Sequence, residues 1–418
     1  MLLEDGRGIN GRARLAWGAR ARYRLDWTAA AVGDLPWLKT LPGDRRLYGM
    51  LAYDLGLPHH AQRAEPVVPQ LLADFIEPER EVVLDCDSGA LLRGSWQDLG
   101  EPVGGRGGPA RPPVRPSARL CHRSFTQAEF ESAVRRVQDY IAAGDVYQVN
   151  IAVGDRYETD LSPWELYRRL RALNPSPWMG FADFGDWQLV SGSPELLVEV
   201  GGHGRSKAVE GGLGGPGGQD PVIRSSGHPV VVRTRPIAGT RKKTGDPVQD
   251  AAMRAELALD AKEQAEHRML VDLARNDVGR VAEFGSVRVA EREVVEEYSH
   301  VFHLVSDVTG VLRVGAGVTD VLAALFPGGT ITGAPKIRAM EVIAELEPVA
   351  RGAYTGGLGW IGPDGAQVNI LIRSAVCRDG AVGIHAGAGI VWDSDPAREW
   401  RESLRKAAAL RVALGAEP

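Results

Sequence analysis

The stretch "VVRTRPIAGTR", residues 231–241, decides how the middle of this chain is read. β-Branched Val231 to Thr234 predict a strand, and Pro236 and Gly239 end it, so backbone amides and the Thr240 hydroxyl come free at a strand edge. Such an edge can hold an anion. Upstream, "SPELLVEV" (193–200) reads as a second strand, and residues 201–229, with "GGLGGPGG" inside them, join the two. Apolar strand signals sit tight against both ends, which favours a hairpin with an overlong tip over an interdomain linker.

Further out, strands and helices alternate. "SFTQAEFESAVRRVQDYIAAG" (124–144) predicts an amphipathic helix with a Ser/Thr start and Gly144 as its stop. "VYQVNIAV" (146–153) predicts a strand, "SPWELYRRLRALN" (162–174) a helix, and "QLVSGSPELLVEV" (188–200) strands. One long helix is expected across 250–277, strand pieces across 287–310, a helix from Pro335, hairpin-like strands over 354–391 and a last helix from Pro396. No short fixed repeat is present. The N-terminal portion is β-rich, with "ARLAWGARARYRLDW" (13–27) and "EVVLDC" (81–86) as strand candidates, and it ends in the Gly/Pro-rich linker 101–118. The linker is therefore expected to separate a smaller N-terminal portion, 1–118, from the rest of the chain, 119–418. The strands are expected to be mainly antiparallel and packed against helices.

Composition sets the outer bounds. Of 418 residues, 44% are hydrophobic and 25% charged, which is globular and ample for a large core. Lys and Arg number 49 against 54 Asp and Glu, a net charge of -5 without a basic block, so nucleic acid is a poor partner. No signal-length or membrane-length apolar run exists, and a cytoplasmic location is expected. Cys86, Cys121 and Cys377 are widely spaced and form no C-x-x-C pair, which speaks against a disulfide framework or a zinc ribbon.

Acids stand where apolar residues are expected. Leu259, Glu263, Glu266, Leu270 and Leu273 share one helical stripe, and Glu399, Glu402 and Lys406 line up with Leu410 and Ala413 on the last helix. Inward carboxylates are costly unless they are paired or bound to a cation. A hard divalent cation, Mg2+ above all, held by one or two carboxylates, waters and an anionic substrate meets that demand. Internal pairing, for instance Glu402 with Lys406, meets it equally well, and spacing does not choose between them.

"FPGGTITGAPKIRAMEVIAELE" (326–347) sets a glycine turn and Thr332 before a helix, suited either to an anion or to a plain capped turn; it lacks the Gly-Lys-Ser/Thr ending of a nucleotide loop. His303 is a core histidine or a proton handler. Glu195 is an edge carboxylate or a general acid with a raised pKa. Arg373, in the apolar "NILIRSAV", needs a carboxylate partner from protein or ligand.

Taken together, "GDVYQVNIA", "SGSPELL", "RTRPIAGTR", "KEQAEHRMLVDLARNDVGRV", "FPGGTITGAPKIRAME", "GAYTGGLGW" and "HAGAGIVWDSDPAREW" resemble, in order, the chorismate-utilising enzymes. That family includes anthranilate synthase component I, aminodeoxychorismate synthase component I, isochorismate synthases and salicylate synthases. The resemblance runs from about Ser124 to the C-terminus. "LLEDGRG" and "MLAYDLG" resemble the N-terminal portion of the two amino-transferring branches; Glu4-Asp5 stands where tryptophan-regulated relatives have Glu-Ser.

The resemblance implies an α+β fold, a large antiparallel β-sandwich flanked by helices. It implies Mg2+ at Glu266 and Glu402, with Glu263 and Glu399 nearby, and a substrate pocket that includes Ala238, Gly239, Thr240, Thr332, Tyr354, Arg373, Ala388, Gly389 and Lys406. Glu195 and His303 match the acid-base positions. Gln148 stands where water-adding relatives keep a lysine base, which disfavours an isochorismate-type reaction. None of the cysteine contexts suits a glutaminase, so ammonia is expected from a separate glutamine amidotransferase subunit. Ala238 replaces the lysine common in aminodeoxychorismate synthases and matches anthranilate synthases, whereas "YQVN", "FPGGTITGAPK" and "IVWDSDP" resemble the aminodeoxychorismate branch. The expectation drawn is formation of 4-amino-4-deoxychorismate, with anthranilate synthesis as the alternative and a non-catalytic tryptophan-binding homologue as a distant one.

Overall fold

In the computed structural model, residues 1–5, 12–25, 45–57, 73–85, 91–94, 118–201, 229–298 and 300–416 are described. Long β-branched and aromatic runs broken by glycine and proline cannot bury both faces alone, and here they stack as two antiparallel sheets. Among the described residues the first sheet has 11 strands and the second has 10. The first runs in the order Gly333–Ala334, Gln148–Glu158, Ala381–Ile390, Ser374–Arg378, Gln188–Ser193, Trp178–Asp183, Leu2–Asp5, Arg12–Trp17, Arg80–Asp85, Leu91–Arg93, with Arg119–Arg123 on Gln148–Glu158. The second runs Ile237–Lys242, Val301–Val311, Val231–Thr234, Leu196–Gly201, Gly365–Ile370, Gly357–Gly362, Leu47–Leu51, Ala73–Glu77, Ala21–Leu25, with Arg288–Glu297 on Val301–Val311.

Strands from the first 93 residues complete one end of each sheet. The core between the sheets mixes both sources: Leu3, Leu47 and Met50 pack in one cluster with Ile151, Leu189, Val198 and Val368. The expected hairpin around 201–229 is present at its base, where Gly201 pairs with Val231. Its tip lies outside the described residues, as do residues 101–117 of the linker and Cys86. Cys121 is exposed and Cys377 buried, both as free thiols.

The helices are α1 (Gln127–Ala142), α2 (Pro163–Leu173), α3 (Pro247–Leu259), α4 (Ala261–Gly279), α5 (Val318–Leu325), α6 (Lys336–Leu346), α7 (Pro396–Lys406) and α8 (Ala408–Leu414). Thr126 and Glu129 form a capping box at the start of α1. Phe130 of α1 meets Trp400 of α7 with ring centroids 5.4 Å apart. α2 and α8 cover the outer face of the first sheet through Leu166, Leu170, Leu410 and Leu414.

Two expected helices are each a pair. The long helix breaks at Asp260, whose carboxylate accepts from the amides of Lys262 (3.0 Å) and Glu263 (3.1 Å) and so starts α4 afresh. Leu259 is consequently 80% exposed and does not belong to the inward stripe. The last helix breaks at Ala407, which separates Lys406 from Leu410 and Ala413. Arg373 is likewise not inside a strand: it sits between Gly365–Ile370 and Ser374–Arg378 with φ 51°, a left-handed conformation few non-glycine residues adopt.

One buried cation ties these layers together. The Arg351 guanidinium donates to Glu347 Oε1 at 2.6 Å and Oε2 at 2.9 Å, to the Ile331 carbonyl at 2.8 Å and to the Asn150 carbonyl at 2.7 Å. It lies 4.7 Å over the Tyr53 ring and 5.6 Å over Tyr354. Removing it leaves Glu347 as an unpaired buried charge. Arg351→Met is expected to cost about 3–5 kcal/mol in urea unfolding, and adding Glu347→Gln to recover part of that loss; a cost of the single change below about 1 kcal/mol contradicts this role.

Candidate active site

The strand does not end at Pro236 and Gly239 as expected: Ile237–Lys242 resumes it, both segments pair with Val301–Val311 of the second sheet, and the Thr240 hydroxyl is engaged by His303 rather than free. The flanking arginines are structural. Arg233 donates to Asp307 at 2.5–2.8 Å, and Arg235 to Glu296 at 2.5 Å. Arg241 reaches Glu256 (2.9 Å), Asp260 (2.6 Å) and Glu263 (3.3 Å). Ala238 is buried opposite Leu304, and the register shifts between Ala238 and Thr240. Gly239, at the shift, has φ 67°, and a Cβ there would lie 2.9 Å from Leu257 Cδ1 and 3.1 Å from Glu263 Oε2. Only glycine fits that approach.

Across this edge stands His303. Its Nδ1 is 3.2 Å from the Gly239 carbonyl and 3.0 Å from Thr240 Oγ1. A carbonyl only accepts, so Nδ1 carries the hydrogen and Nε2 keeps a lone pair, buried and without a partner among the described residues. Burial, with the Arg373 charge added, pulls His303 down to about 4. The ring is therefore neutral at physiological pH.

Glu195 occupies the crossover between strand Gln188–Ser193 of the first sheet and Leu196–Gly201 of the second. It is 5% exposed and accepts a 2.8 Å hydrogen bond from Thr330. Burial pushes its carboxyl up to about 7, although Thr330, the Ile237 amide and Arg373 all oppose the rise. A cavity of about 30 Å³ opens beside it between Thr234, Pro236, Asp277 and Thr330, room for roughly one or two waters.

Arg373 is recessed but reachable by solvent, and none of its donors is engaged by a described residue. Burial pulls its pKa down, while Glu195 and Tyr298, anionic only once they lose their protons, oppose that shift. Tyr298 donates to Glu296 at 2.9 Å and sets its ring against His303, centroids 5.2 Å apart at 66°.

The acids of α4 and α7 approach from the other side. Glu266 accepts from the Gln148 amide at 3.0 Å, and a Cβ at Gly389 would lie 2.3 Å from Gln148 Nε2 and 3.7 Å from Glu266 Oε1. Burial and the Glu263 charge push the Glu266 carboxyl up. Lys406 Nζ lies 3.1 Å from Glu402 Oε1 and 3.1 Å from the Gly387 carbonyl. Burial would raise Glu402, but Lys406 and two arginines outweigh it and hold the carboxyl below its usual range. Glu399 is pushed up by burial, with its Ser394 hydrogen bond opposing. The charge of Lys406 acts on Glu266, Glu399, Glu402 and His303 alike, so helices distant in sequence share one region.

The remaining pocket candidates are placed less directly. Ala388 pairs with Ile151 and Gly389 with Asn150, beside Gln148. Tyr354 is buried and stacked on His385 at 5.5 Å. The Thr332 hydroxyl donates to the Gly328 carbonyl at 2.9 Å, so it offers a ligand only its lone pairs. Sequence reasoning passed over Thr330 and Tyr298. Thr330 is two residues from Thr332 in the same glycine turn, and Tyr298 belongs to "EEYSHVFH", where Glu296 pairs directly with His303; register alone could have revealed it.

A two-layer antiparallel fold thus brings near one another an arginine with no donor engaged among the described residues, a proton-retaining carboxyl and the acids of α4 and α7. Residues 17–208 and 228–412 match the family model of chorismate binding enzymes, and the chain belongs to that family. It is 45% identical over 291 residues to aminodeoxychorismate synthase component 1 of Bacillus subtilis, covering 69% of this chain and 56% of that one. It is 46% identical over 288 residues to anthranilate synthase component 1 of Pseudomonas aeruginosa, covering 69% and 53%. The chain thus spans little more than half the length of these relatives, and the two reactions are matched equally well. Among solved structures, anthranilate synthase component I from Streptococcus pneumoniae superposes with a TM-score of 0.75 at 28% identity, over 96% of this chain and 92% of that one. The menaquinone-specific isochorismate synthase MenF of Escherichia coli, at 20% identity and a TM-score of 0.70 over 99% of this chain and 88% of that one, shares the fold. No described helix is long and apolar enough to cross a membrane.

Glu195 yields a stability test. In the folded protein its carboxyl keeps its proton to about pH 7, against 4.5 for an ordinary glutamate, so unfolding releases a proton between those values. Stability relative to Glu195→Gln is expected to fall by about 1–3 kcal/mol as pH rises from about 4.5 to 7, and to level off above. Parallel thermal unfolding curves over that range contradict the burial argument.

Proposed function

We propose that this chain aminates chorismate to 4-amino-4-deoxychorismate in an Mg2+-dependent reaction, with ammonia delivered from a glutamine amidotransferase partner, in the p-aminobenzoate and folate branch. The observation that carries this reading is Arg373: a recessed guanidinium with no donor engaged among the described residues, beside a carboxyl that stays protonated to about pH 7. Such a pair suits a dianionic substrate whose hydroxyl must leave with a proton. Family membership supports chorismate as that substrate. The names of both relatives as component 1 support a partner subunit, and a cytoplasmic setting accompanies the reading.

Oxygen-only donors from α4 and α7 fit magnesium, which takes one or two carboxylates and completes its shell with waters and substrate oxygens. No group of three His, Cys, Asp or Glu side chains stands ready for a metal among the described residues, and magnesium needs none. Glu266 and Glu402 would hold the ion, with Glu263 and Glu399 behind them. When bound, it would neutralise the ring carboxylate and fix the substrate's orientation.

The protein's own groups account for the proton movements. Glu195 gives its proton to the departing hydroxyl, which leaves as water while ammonia nitrogen bonds to the ring. The resulting ammonium returns a proton to the Glu195 carboxylate that the first step leaves, which restores the acid, while His303 Nε2, without a partner among the described residues, accepts a hydrogen bond from the incoming ammonia. Gln148 is an amide committed to Glu266 and cannot activate water. Ala238 offers no amine, so no enzyme-bound adduct forms at that position. The small, buried Ala238 also favours the second reading, anthranilate formation with loss of pyruvate.

Purified protein given chorismate, Mg2+ and an ammonium salt is expected to consume chorismate without fluorescence and to give p-aminobenzoate only after a lyase is added. Direct anthranilate fluorescence selects the second reading; no consumption rejects both. At constant free ammonia the rate is expected to decline above pH about 7, where Glu195 ionises, and Glu195→Gln to lose about 10²–10⁴-fold. A pH-independent rate contradicts the acid role.

A further inference from the structure

We propose that Lys406 is the resident counter-ion of the Glu266 and Glu402 site, and that a divalent cation enters by displacing its ammonium, which then becomes available to the anionic substrate. This rests on the metal reading above and goes beyond it, because it assigns the lysine a competing role.

The geometry points to it in three ways. First, the ammonium is held from two sides, 3.1 Å from Glu402 Oε1 on its own helix and 3.1 Å from the Gly387 carbonyl on the facing strand. Two residues along that strand, the missing side chain of Gly389 leaves Glu266 Oε1 within 3.7 Å of the Cβ position. The same short stretch of backbone therefore borders the ammonium and the Glu266 carboxylate, and the ammonium in turn contacts Glu402.

Second, the local charges are otherwise spoken for. Glu263 is engaged by Arg241 at 3.3 Å, and Glu399 is hydrogen-bonded to Ser394. Lys262 is paired with Asp393 at 3.2 Å. Glu266 has only the neutral Gln148 amide as a hydrogen-bond partner among the described residues. Lys406 is left as the one direct cationic contact that Glu402 makes among the described residues, while its field reaches Glu266 and Glu399.

Third, displacement is easy. The Lys406 side chain is 45% exposed and that of Glu402 34%, and an ion pair so open to water is worth little, so a divalent ion can replace it. Freed, the flexible ammonium carries its charge toward the substrate side, where its field already reaches His303.

The test is calorimetric titration of the full chain with Mg2+, comparing wild type, Lys406→Met, Lys406→Gln, Lys262→Met and Glu266→Gln. Both Lys406 variants are expected to bind Mg2+ about three- to tenfold tighter than wild type. Lys262→Met, which removes a nearby charge without a contact to the site, is expected to change affinity less than about twofold, and Glu266→Gln to abolish binding. Unchanged or weaker binding by the Lys406 variants overturns the proposal. So does an equal gain in Lys262→Met, which would mark a general charge effect. If no protein binds Mg2+, the metal reading itself fails and the proposal falls with it.

Discussion

Negative charge brought together by folding is the constraint on which the rest depends. Glu266 on α4 and Glu399 and Glu402 on α7 all lie within reach of the Lys406 charge, and within each helix a neighbouring acid raises proton affinity, Glu263 that of Glu266 and Glu402 that of Glu399. The fold tolerates them by surrounding them with countercharges of graded strength. Arg241 is committed to three acids, Lys406 to one acid and a carbonyl, and Gln148 gives an amide. Removing these partners singly would leave carboxylates in a half-buried setting without compensation. What holds these acids in place is thus the countercharge and hydrogen bonding that the fold sets beside them.

The two sheets turn that local problem into a site. α4 packs on strands Ile237–Lys242 and Val301–Val311 of the second sheet, and α7 on Ala381–Ile390 of the first. Glu195 lies where the chain passes from one sheet to the other, and Arg373 lies in a turn between strands of opposite sheets. Glu195 and Arg373 thus sit between the sheets, while His303 and Gln148 reach the same region from within strands of the second and first sheet. Positive φ at Arg373 places backbone strain at that crossover.

Much of this was legible in the sequence. Alternation and capping residues located strand Val231–Thr234, α1, α2 and the start of α7, because those signals are local and Thr126, Ser162 and Asp395 each cap as their types demand, whereas Pro236 and Gly239 hid the strand Ile237–Lys242. The inward acids were visible from helical spacing. Periodicity ran straight through Asp260 and Ala407, however, since a helix pair that continues the same apolar face looks like one helix; the carboxylate of Asp260 was the available stop signal. Tyr298 and Thr330 were not legible, because their roles come from register across Arg288–Glu297 and from a hydrogen bond spanning 135 residues. The left-handed turn at Arg373 was hidden too, since an apolar run around an arginine reads as a strand.

The account's central claim, that α4 and α7 form one cation site, is tested most directly by anomalous X-ray diffraction from crystals equilibrated with Mn2+ as a stand-in for Mg2+. A single strong peak within coordination distance of both Glu266 and Glu402 is the result this account predicts. A peak bound to one helix alone, or lying away from both, contradicts it.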